Sequence, residues 1–118
     1  MQIKVLRAKI HLATVTETRL DYEGSITLDE DLMEAVGLVP GEAVLVSNLA
    51  NGSRQVTYVI PGDRGGGAVC LNGASARLAA VGDRLIIMGF AYLGPEELAG
   101  HVARTIVLGE NNSIVRGP

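Results

Sequence analysis

The sequence lacks tryptophan, and aromatic residues make up only 3% of its 118 positions. Hydrophobic residues nevertheless account for 47%, so the core must consist mainly of Val, Leu, Ile and Ala. Such a composition favours a small, tightly packed β-rich fold. The length predicts one domain that spans residues 1–118, since the chain is long enough for a single core but not for two.

Other scarcities exclude whole classes of site. The single cysteine, Cys70, rules out an internal disulfide and a cysteine-based zinc site. Because it lies in an apolar run, we expect a buried and inert thiol. The two histidines, His11 and His101, make no convincing metal set, so no metal is expected.

The charge pattern and the hydrophobic runs bear on whether the protein binds nucleic acid or a membrane. The net charge is −3 and the basic residues are dispersed, so no basic stripe predicts nucleic-acid binding. No run of about 18 apolar residues predicts a membrane span. The first residues lack the apolar segment of a signal peptide, and we therefore expect a cytoplasmic protein.

Turn residues divide the chain into short elements. Fifteen glycines and four prolines predict about six to eight strands in a small barrel. The predicted strands cover residues 3–20 (as one or two strands), 43–49, 53–60, 68–71, 84–93 and 105–108. Helices are predicted at 28–36, capped by Asp29 or Thr27 and ended by Gly37, and at 95–100. From Asn111 onward we expect a loose tail.

Two strands carry polar residues that share one face. Lys9 and His11 have i, i+2 spacing, which indicates either a solvated strand face or a functional pair. Arg54 and Tyr58 lie on one face of the return strand after the Asn-Gly hairpin turn, and Thr57 lies on the other. An arginine among apolar residues either reaches water or binds an anion.

The glycine-rich segment 61–67 predicts a flexible connection. It lacks the Gly-Lys-Ser/Thr ending of a P-loop and the strand-loop-helix context of a dinucleotide site. With no phosphate loop and only 118 residues, the chain shows no sign of a pyridoxal phosphate site.

One constellation of motifs organises the chain. Tyr22-Glu23-Gly24-Ser25 lies between the first predicted strands and the first helix. Lys9-x-His11 precedes it, Asn51-Gly52-x-Arg54-x-x-Thr57-Tyr58 follows it, and Asn72-Gly73-Ala74 comes next. Over residues 6–90 this order resembles the pyruvoyl-dependent aspartate 1-decarboxylases. The resemblance implies a double-psi β-barrel and decarboxylation of L-aspartate to β-alanine and CO2, which supplies pantothenate and coenzyme A synthesis.

The resemblance also implies a cofactor made by the protein itself. The chain would cleave itself between Gly24 and Ser25 into residues 1–24 and 25–118, and Ser25 would become a pyruvoyl group. Thr57 would assist this cleavage. The family is a homotetramer with sites at subunit interfaces, so groups from two chains are expected to act together, and a maturation factor is a further expected type of partner.

For turnover the resemblance assigns a role to each motif. Tyr58 would reprotonate the substrate carbanion and, with the group formed from Ser25, make up the catalytic pair. The substrate-binding set would be Lys9, Arg54, Asn72, Gly73, Ala74 and Ser75, with His11 and Tyr22 as helpers.

Some positions depart from the family pattern. Ser47 stands where a bulky or polar residue is common, Ser75 where Ala is typical, and Arg77 where His is usual; residues 63–66 also differ. Ser47 and Ser75 bear on the shape of the pocket and so on the exact substrate. Two alternatives stay open: a decarboxylase for another acidic amino acid, or a barrel that never cleaves and serves as a binding module.

Overall fold

The computed structural model describes residues 1–118 and is mainly β, with short helices, as predicted. The nine strands are β1 (Ile3–Thr14), β2 (Glu17–Arg19), β3 (Ser25–Asp29), β4 (Ala43–Asn48), β5 (Arg54–Gly62), β6 (Val69–Asn72), β7 (Arg84–Leu93), β8 (Arg104–Leu108) and β9 (Ile114–Arg116). Helix α1 covers Glu30–Val36, and α2 covers Pro95–Leu98. Short 3₁₀ helices occupy Gly73–Leu78 and Glu110–Asn112. None of these helices has the length and apolarity to cross a membrane.

The strands form one mixed sheet in the order β2-β6-β3-β5-β4-β7-β1-β8-β9. Three neighbouring pairs are parallel: β1 with β8, β2 with β6, and β3 with β5. A parallel pair cannot be joined by a tight hairpin, so the chain crosses over between these strands. This interleaved order fits the double-psi β-barrel that the resemblance implies.

The core is aliphatic, as the composition predicts. Nineteen buried hydrophobic residues form one cluster, and none of them is aromatic. Ile10, Ile26, Leu71 and Ile87 are among the fully buried side chains, and each comes from a different strand. Burying one such side chain contributes about 1.5–3 kcal/mol, so the cluster holds the strands of both halves of the sheet in place.

Helix α1 begins two residues later than predicted. Leu28 pairs with both β5 and β6, and Asp29 pairs with β5 alone. These pairings extend β3 to Asp29. Asp29 is the N-cap, as one of the two expected candidates, and its carboxylate accepts a hydrogen bond of 2.8 Å from the Asp31 backbone N–H. Gly37 ends the helix with φ 78°, the left-handed conformation expected for it.

The glycine-rich segment is anchored, so the prediction of a flexible connection was wrong. The Asp29 carboxylate accepts hydrogen bonds from the backbone N–H groups of Gly65 and Gly67, at 3.2 and 2.9 Å. Arg64 forms ion pairs with Asp31 at 2.8 Å and Glu34 at 2.5 Å on α1. One buried carboxylate thus caps the helix and holds the loop, a pairing that sequence spacing did not reveal.

The C-terminal segment is also ordered, which corrects the expected loose tail. It contains β9, and β9 together with β3, which was not among the predicted strands, brings the strand count to nine. Asn112 is buried, and its side-chain amide donates to the carbonyl oxygens of Thr14 at 2.9 Å and Gly67 at 2.8 Å. Its Oδ1 accepts from the Thr14 N–H at 2.8 Å. These bonds fix the segment to β1, and β9 then pairs with β8.

Candidate active site

Ser25 is fully buried at the start of β3, directly after Gly24. Its partner across the antiparallel β3–β6 ladder is Asn72. The Asn72 side-chain amide donates a hydrogen bond of 2.8 Å to Ser25 Oγ. The Ser25 hydroxyl donates a long bond of 3.4 Å to the Glu23 carbonyl oxygen. The hydroxyl therefore lies beside the peptide segment that it is predicted to attack, with a donor already directed at its oxygen.

Two more side chains fix the Asn72 amide. Asn72 Nδ2 also donates to Thr27 Oγ1 at 3.0 Å, and Asn72 Oδ1 accepts from Cys70 Sγ at 3.3 Å. Burial raises the pKa of the Cys70 thiol above its ordinary value, so the thiol stays protonated and can donate. We call Ser25, Thr27, Cys70 and Asn72 the Ser25 cluster. Cys70 is buried, as predicted, but it belongs to a hydrogen-bonded network.

Gly73 contacts the predicted cleavage point directly. It has φ +65°, and a Cβ added to it would lie 2.8 Å from Gly24 Cα and 3.0 Å from the Tyr22 carbonyl oxygen. Gly24 itself has open space where a Cβ would be. Gly73, and not Gly24, is therefore the position at which a side chain has no room. The resemblance had assigned Gly73 only to the substrate pocket.

The strand register brings Thr57 and Tyr58 to the same end of β3. In the parallel β3–β5 ladder, Ile26 is level with Val59. Extending that register by one and two residues puts Ser25 level with Tyr58 and Gly24 level with Thr57. Tyr58 is 40% exposed and Thr57 is partly buried, which agrees with the expected alternation of the two side chains across β5.

The predicted cationic residues lie elsewhere on the sheet. His11, Ile86, Ser47 and Arg54 are level with one another across β1, β7, β4 and β5. Lys9 lies two residues from His11, and the residue between them is fully buried, so both point outward. We call this outward surface, with Lys9, His11, Ser47 and Arg54, the basic face.

Two polar atoms on the basic face are buried without a partner: Nδ1 of His11 and Oγ of Ser47. Burial, followed by the positive charges of Lys9, Arg116 and Arg84, lowers the pKa of His11 below its ordinary value of 6.5. A bulge follows His11, where Leu12 has φ 67°. This conformation is unusual for a leucine, and it bends β1 at the end of the basic face.

The basic face does not adjoin the Ser25 cluster along the sheet. Arg54 is four residues from Tyr58 along β5, about 13 Å at ~3.3 Å per residue. In the sheet, β7, β4 and β5 separate β1, which carries Lys9, from β3. None of the three hollows on the surface includes Ser25, Lys9 or Arg54.

One groove lies beside the Ser25 cluster. Its volume is about 390 Å³, and its lining includes Tyr22, Thr27, Cys70 and Asn72. A second hollow, of about 300 Å³, is apolar and lies on the outer surface of β4, β5 and β7 between Lys4 and Tyr92. The first groove offers polar contacts next to Ser25 but no cation from the basic face.

The remaining predicted residues surround Asn72. Tyr22 is 49% exposed and lines the groove, Ala74 is exposed, and Ser75 is buried. The Ser75 carbonyl oxygen accepts a hydrogen bond of 3.4 Å from Gln55 Nε2, which ties the 3₁₀ helix to β5. The structure thus gathers Gly24, Ser25, Thr57, Tyr58, Asn72 and Gly73 in one region, with Tyr22, Ala74 and Ser75 at its edge. Lys9, His11 and Arg54 form the separate basic face.

Sequence reasoning missed Thr27 and Cys70 as partners of Asn72, and Gln55 as an anchor. A signal existed in the i, i+2 spacing of Ser25 with Thr27 and of Cys70 with Asn72, which puts each pair on one face of a strand. The pairing of β3 with β6 makes the two pairs meet. That pairing joins segments more than 40 residues apart (72 − 25 = 47 for the Ser25–Asn72 pair), and spacing alone does not reveal it.

Comparison with known proteins gives one consistent family. The aspartate decarboxylase family matches residues 1–115. The aspartate 1-decarboxylase of Caldicellulosiruptor saccharolyticus is 53% identical over 116 residues, which cover 98% of this chain and 91% of that protein. Those of Staphylococcus aureus strain Newman and Bacillus subtilis strain 168 are 50% and 49% identical, over 94% and 93% of this chain and 87% of each relative.

Among solved structures, the computationally designed protein msDPBB_sym2 aligns with 74% of this chain and 99% of its own, at a TM-score of 0.47 and 25% identity. The fold assignment rests on the strand order and register described above and not on this alignment.

Proposed function

This chain belongs to the aspartate decarboxylase family, and from that membership we infer that it removes the α-carboxylate of L-aspartate to give β-alanine and CO2. The observation that carries the inference is the family match over residues 1–115, within which Ser25 and Asn72 are bonded side by side. The product is the β-alanine needed for pantothenate synthesis, and we assign the reaction to the cytoplasm.

The enzyme first cleaves its own backbone between Gly24 and Ser25. Ser25 Oγ forms a bond to the Gly24 carbonyl carbon, the C–N bond breaks, and the hydroxyl proton passes to the released nitrogen. β-Elimination then cuts the ester and leaves dehydroalanine, which hydrolyses to a pyruvoyl group with loss of ammonia. The products are residues 1–24 and 25–118.

The contacts around Ser25 support this sequence of steps. The Asn72 N–H that donates to Ser25 Oγ at 2.8 Å stabilises the oxygen as its proton leaves. Thr57, level with Gly24 by register, provides a hydroxyl donor for the oxyanion formed on the Gly24 carbonyl oxygen.

The site also fits the pyruvoyl group that cleavage would leave. When present, this group supplies an electron sink for the charge left on Cα when CO2 departs. Asn72 and Thr27 provide the polar contacts on its flank. We assign the return of a proton to Cα to Tyr58, which is partly exposed and is level with residue 25 when the β3–β5 register is extended by one residue.

Recognition of the aspartate side chain requires the basic face of a second copy. Arg54 can bind a carboxylate with two parallel N–H donors, and Lys9 adds a point charge. Arg54 lies four residues from Tyr58 along β5, and β7, β4 and β5 separate the strand of Lys9 from β3 in the sheet. We assign the active site to an interface in a homotetramer, where the basic face of one subunit completes the Ser25 cluster of its neighbour.

The test is turnover by fully matured protein. Purified protein is warmed until cleavage is complete, with a maturation factor supplied by cell extract if it is required. Mass spectrometry should then show residues 1–24 and a 25–118 fragment that reacts with hydroxylamine. Incubation with L-aspartate should yield equal amounts of β-alanine and CO2, and NMR measures both products. Ser25→Ala should remain one chain and give neither product. Matured wild-type protein that leaves aspartate unchanged would refute the proposed activity.

A further inference from the structure

Cys70 bonds to Asn72 on the side of the carboxamide opposite Ser25. Its Sγ lies 3.3 Å from Asn72 Oδ1, while Asn72 Nδ2 lies 2.8 Å from Ser25 Oγ and 3.0 Å from Thr27 Oγ1. All four side chains are at least partly buried, and Cys70 and Asn72 are 6% and 1% exposed. A chain of hydrogen bonds therefore runs from the thiol through one amide to the hydroxyl that is proposed to attack Gly24.

The carboxamide has two orientations that differ by a half-turn, and only one of them suits cleavage. With Nδ2 toward Ser25, the amide donates to Oγ and leaves the hydroxyl proton free to point at the Glu23 carbonyl oxygen. With Oδ1 toward Ser25, the amide would accept that proton and hold it on the nucleophile. The first orientation favours loss of the proton, and the second opposes it.

The neighbouring hydroxyls cannot choose between these orientations. Ser25 and Thr27 each carry a hydroxyl, which donates or accepts equally well as its hydrogen rotates. Cys70 differs, because sulfur is a weak acceptor while a protonated thiol is still a donor. An amide N–H turned toward Sγ would lose an effective partner in a buried place, whereas a carbonyl oxygen gains one.

We propose that Cys70 is a positioning residue for self-cleavage, because its thiol holds the Asn72 carboxamide with Nδ2 directed at Ser25 Oγ. This inference rests on the self-cleavage proposed above and assigns Cys70 no contact with substrate. Loss of the thiol donor should slow cleavage by about three- to tenfold, the scale of one neutral hydrogen bond.

The test compares Cys70→Ser with Cys70→Val. Serine keeps a hydrogen-bond donor in a slightly smaller side chain, while valine nearly keeps the volume and removes the donor. Each precursor is made by cell-free translation in a bacterial extract, and formation of the 25–118 fragment is followed by mass spectrometry. We expect Cys70→Ser to cleave within about twofold of wild type and Cys70→Val to be three- to tenfold slower.

A purely structural role of Cys70 predicts the reverse order, because valine packs better than serine in an apolar place. Cys70→Ser that cleaves no faster than Cys70→Val would therefore overturn the proposal. The thermal unfolding midpoint of each variant, measured on the same preparations, separates packing damage from the effect on cleavage.

A double mutant tests whether Cys70 acts through Asn72. In an Asn72→Ala background, followed at raised temperature so that slow cleavage is still measured, Cys70→Val should change the rate by less than twofold. An undiminished effect would overturn the proposal. If wild type does not cleave, the proposed function itself is refuted. If wild type cleaves and Cys70→Val cleaves at the same rate, only the role of Cys70 is refuted.

Discussion

Gly73 packs so closely on Gly24 that a side chain on Gly73 would begin 2.8 Å from the Gly24 Cα. Real Cβ atoms do not approach so near to backbone, so the segment that contains the cleavage point must shift if Gly73 is replaced. Gly73 also has φ +65°, a conformation that other residues adopt at a cost of about 1 kcal/mol.

Gly73→Ala should therefore slow cleavage far more than it destabilises the fold. We expect at least a tenfold lower rate of 25–118 formation, since displacement of the Gly24 carbonyl disrupts an aligned attack. Gly52→Ala is the matched control, because Gly52 has φ +71° but nothing within 4 Å of its Cβ position. Equal rates for the two variants would contradict the steric role of Gly73.

Tyr58 and Thr57 should separate turnover from cleavage. Tyr58→Phe keeps the ring but removes the hydroxyl, so it should cleave normally and lose about 10²–10⁴-fold in decarboxylation, the contribution of a positioned acid. Thr57→Val should cleave slowly because the proposed oxyanion donor is missing. The two rates are measured separately, by mass spectrometry and by β-alanine formation. Equal damage to both processes by either variant would show that this division is wrong.

Arg54 should determine the preference for a diacid. Arg54→Lys keeps the charge but loses the planar fork, and should lose about 1.5–3 kcal/mol of transition-state stabilisation, roughly ten- to more than a hundredfold in kcat/KM. Arg54→Ala should lose more. Arg104→Lys is a suitable control, since Arg104 is exposed at the start of β8 and belongs to neither the Ser25 cluster nor the basic face.

Substrate profiling extends the same argument. Glutamate is one methylene longer than aspartate, a difference worth only about 1–3 kcal/mol in a fitted pocket. Aspartate should therefore be preferred by a finite margin, and alanine, which lacks the second carboxylate, should be very poor. Alanine turned over as well as aspartate would remove the role of Lys9 and Arg54, and a preference for glutamate would reassign the natural substrate.

Mixed oligomers should recover activity lost in each parent. Ser25→Ala supplies an intact basic face, and Arg54→Ala supplies an intact Ser25 cluster. If the active site spans two subunits, unfolding and refolding the two together should create wild-type sites and restore a measurable part of the aspartate turnover. Each variant refolded alone is the control. No recovery in oligomers shown by native mass spectrometry to be mixed would place all groups within one chain.

His11 should make stability fall in mildly acidic solution. Its folded-state pKa lies below 6.5, so the unfolded chain binds the proton more tightly. The stability linked to neutral His11 is fully present above pH 6.5 and is lost as the pH falls from there to the folded-state pKa. His11→Gln should flatten this slope in denaturant titrations above about pH 5, where most carboxylates stay charged. Wild type measured over the same pH range is the control, and an unchanged slope in His11→Gln would contradict the prediction.

Much of the fold follows from local pattern. The hairpin at Asn51-Gly52, the αL glycine at Gly37 and the capping aspartate at Asp29 each act within a few residues, and the sequence predicted all three. The order of the C-terminal segment could not be predicted in this way, because it depends on hydrogen bonds of Asn112 to Thr14 and Gly67. Such bonds join residues about 45 to 98 positions apart, and no local signal announces them.

The candidate site also depends partly on local sequence and partly on tertiary contacts. The sequence determined the identities: the Gly24-Ser25 peptide bond, the Asn72 that follows a short strand, and an arginine and a lysine suited to a diacid. Tertiary structure decided which of these meet. The β3–β6 ladder brings Asn72 and Cys70 beside Ser25 and Thr27, while β7, β4 and β5 separate the strand of Lys9 from β3. Periodicity fixes the face of a strand on which a side chain lies, but only packing of the whole barrel fixes which strands are neighbours.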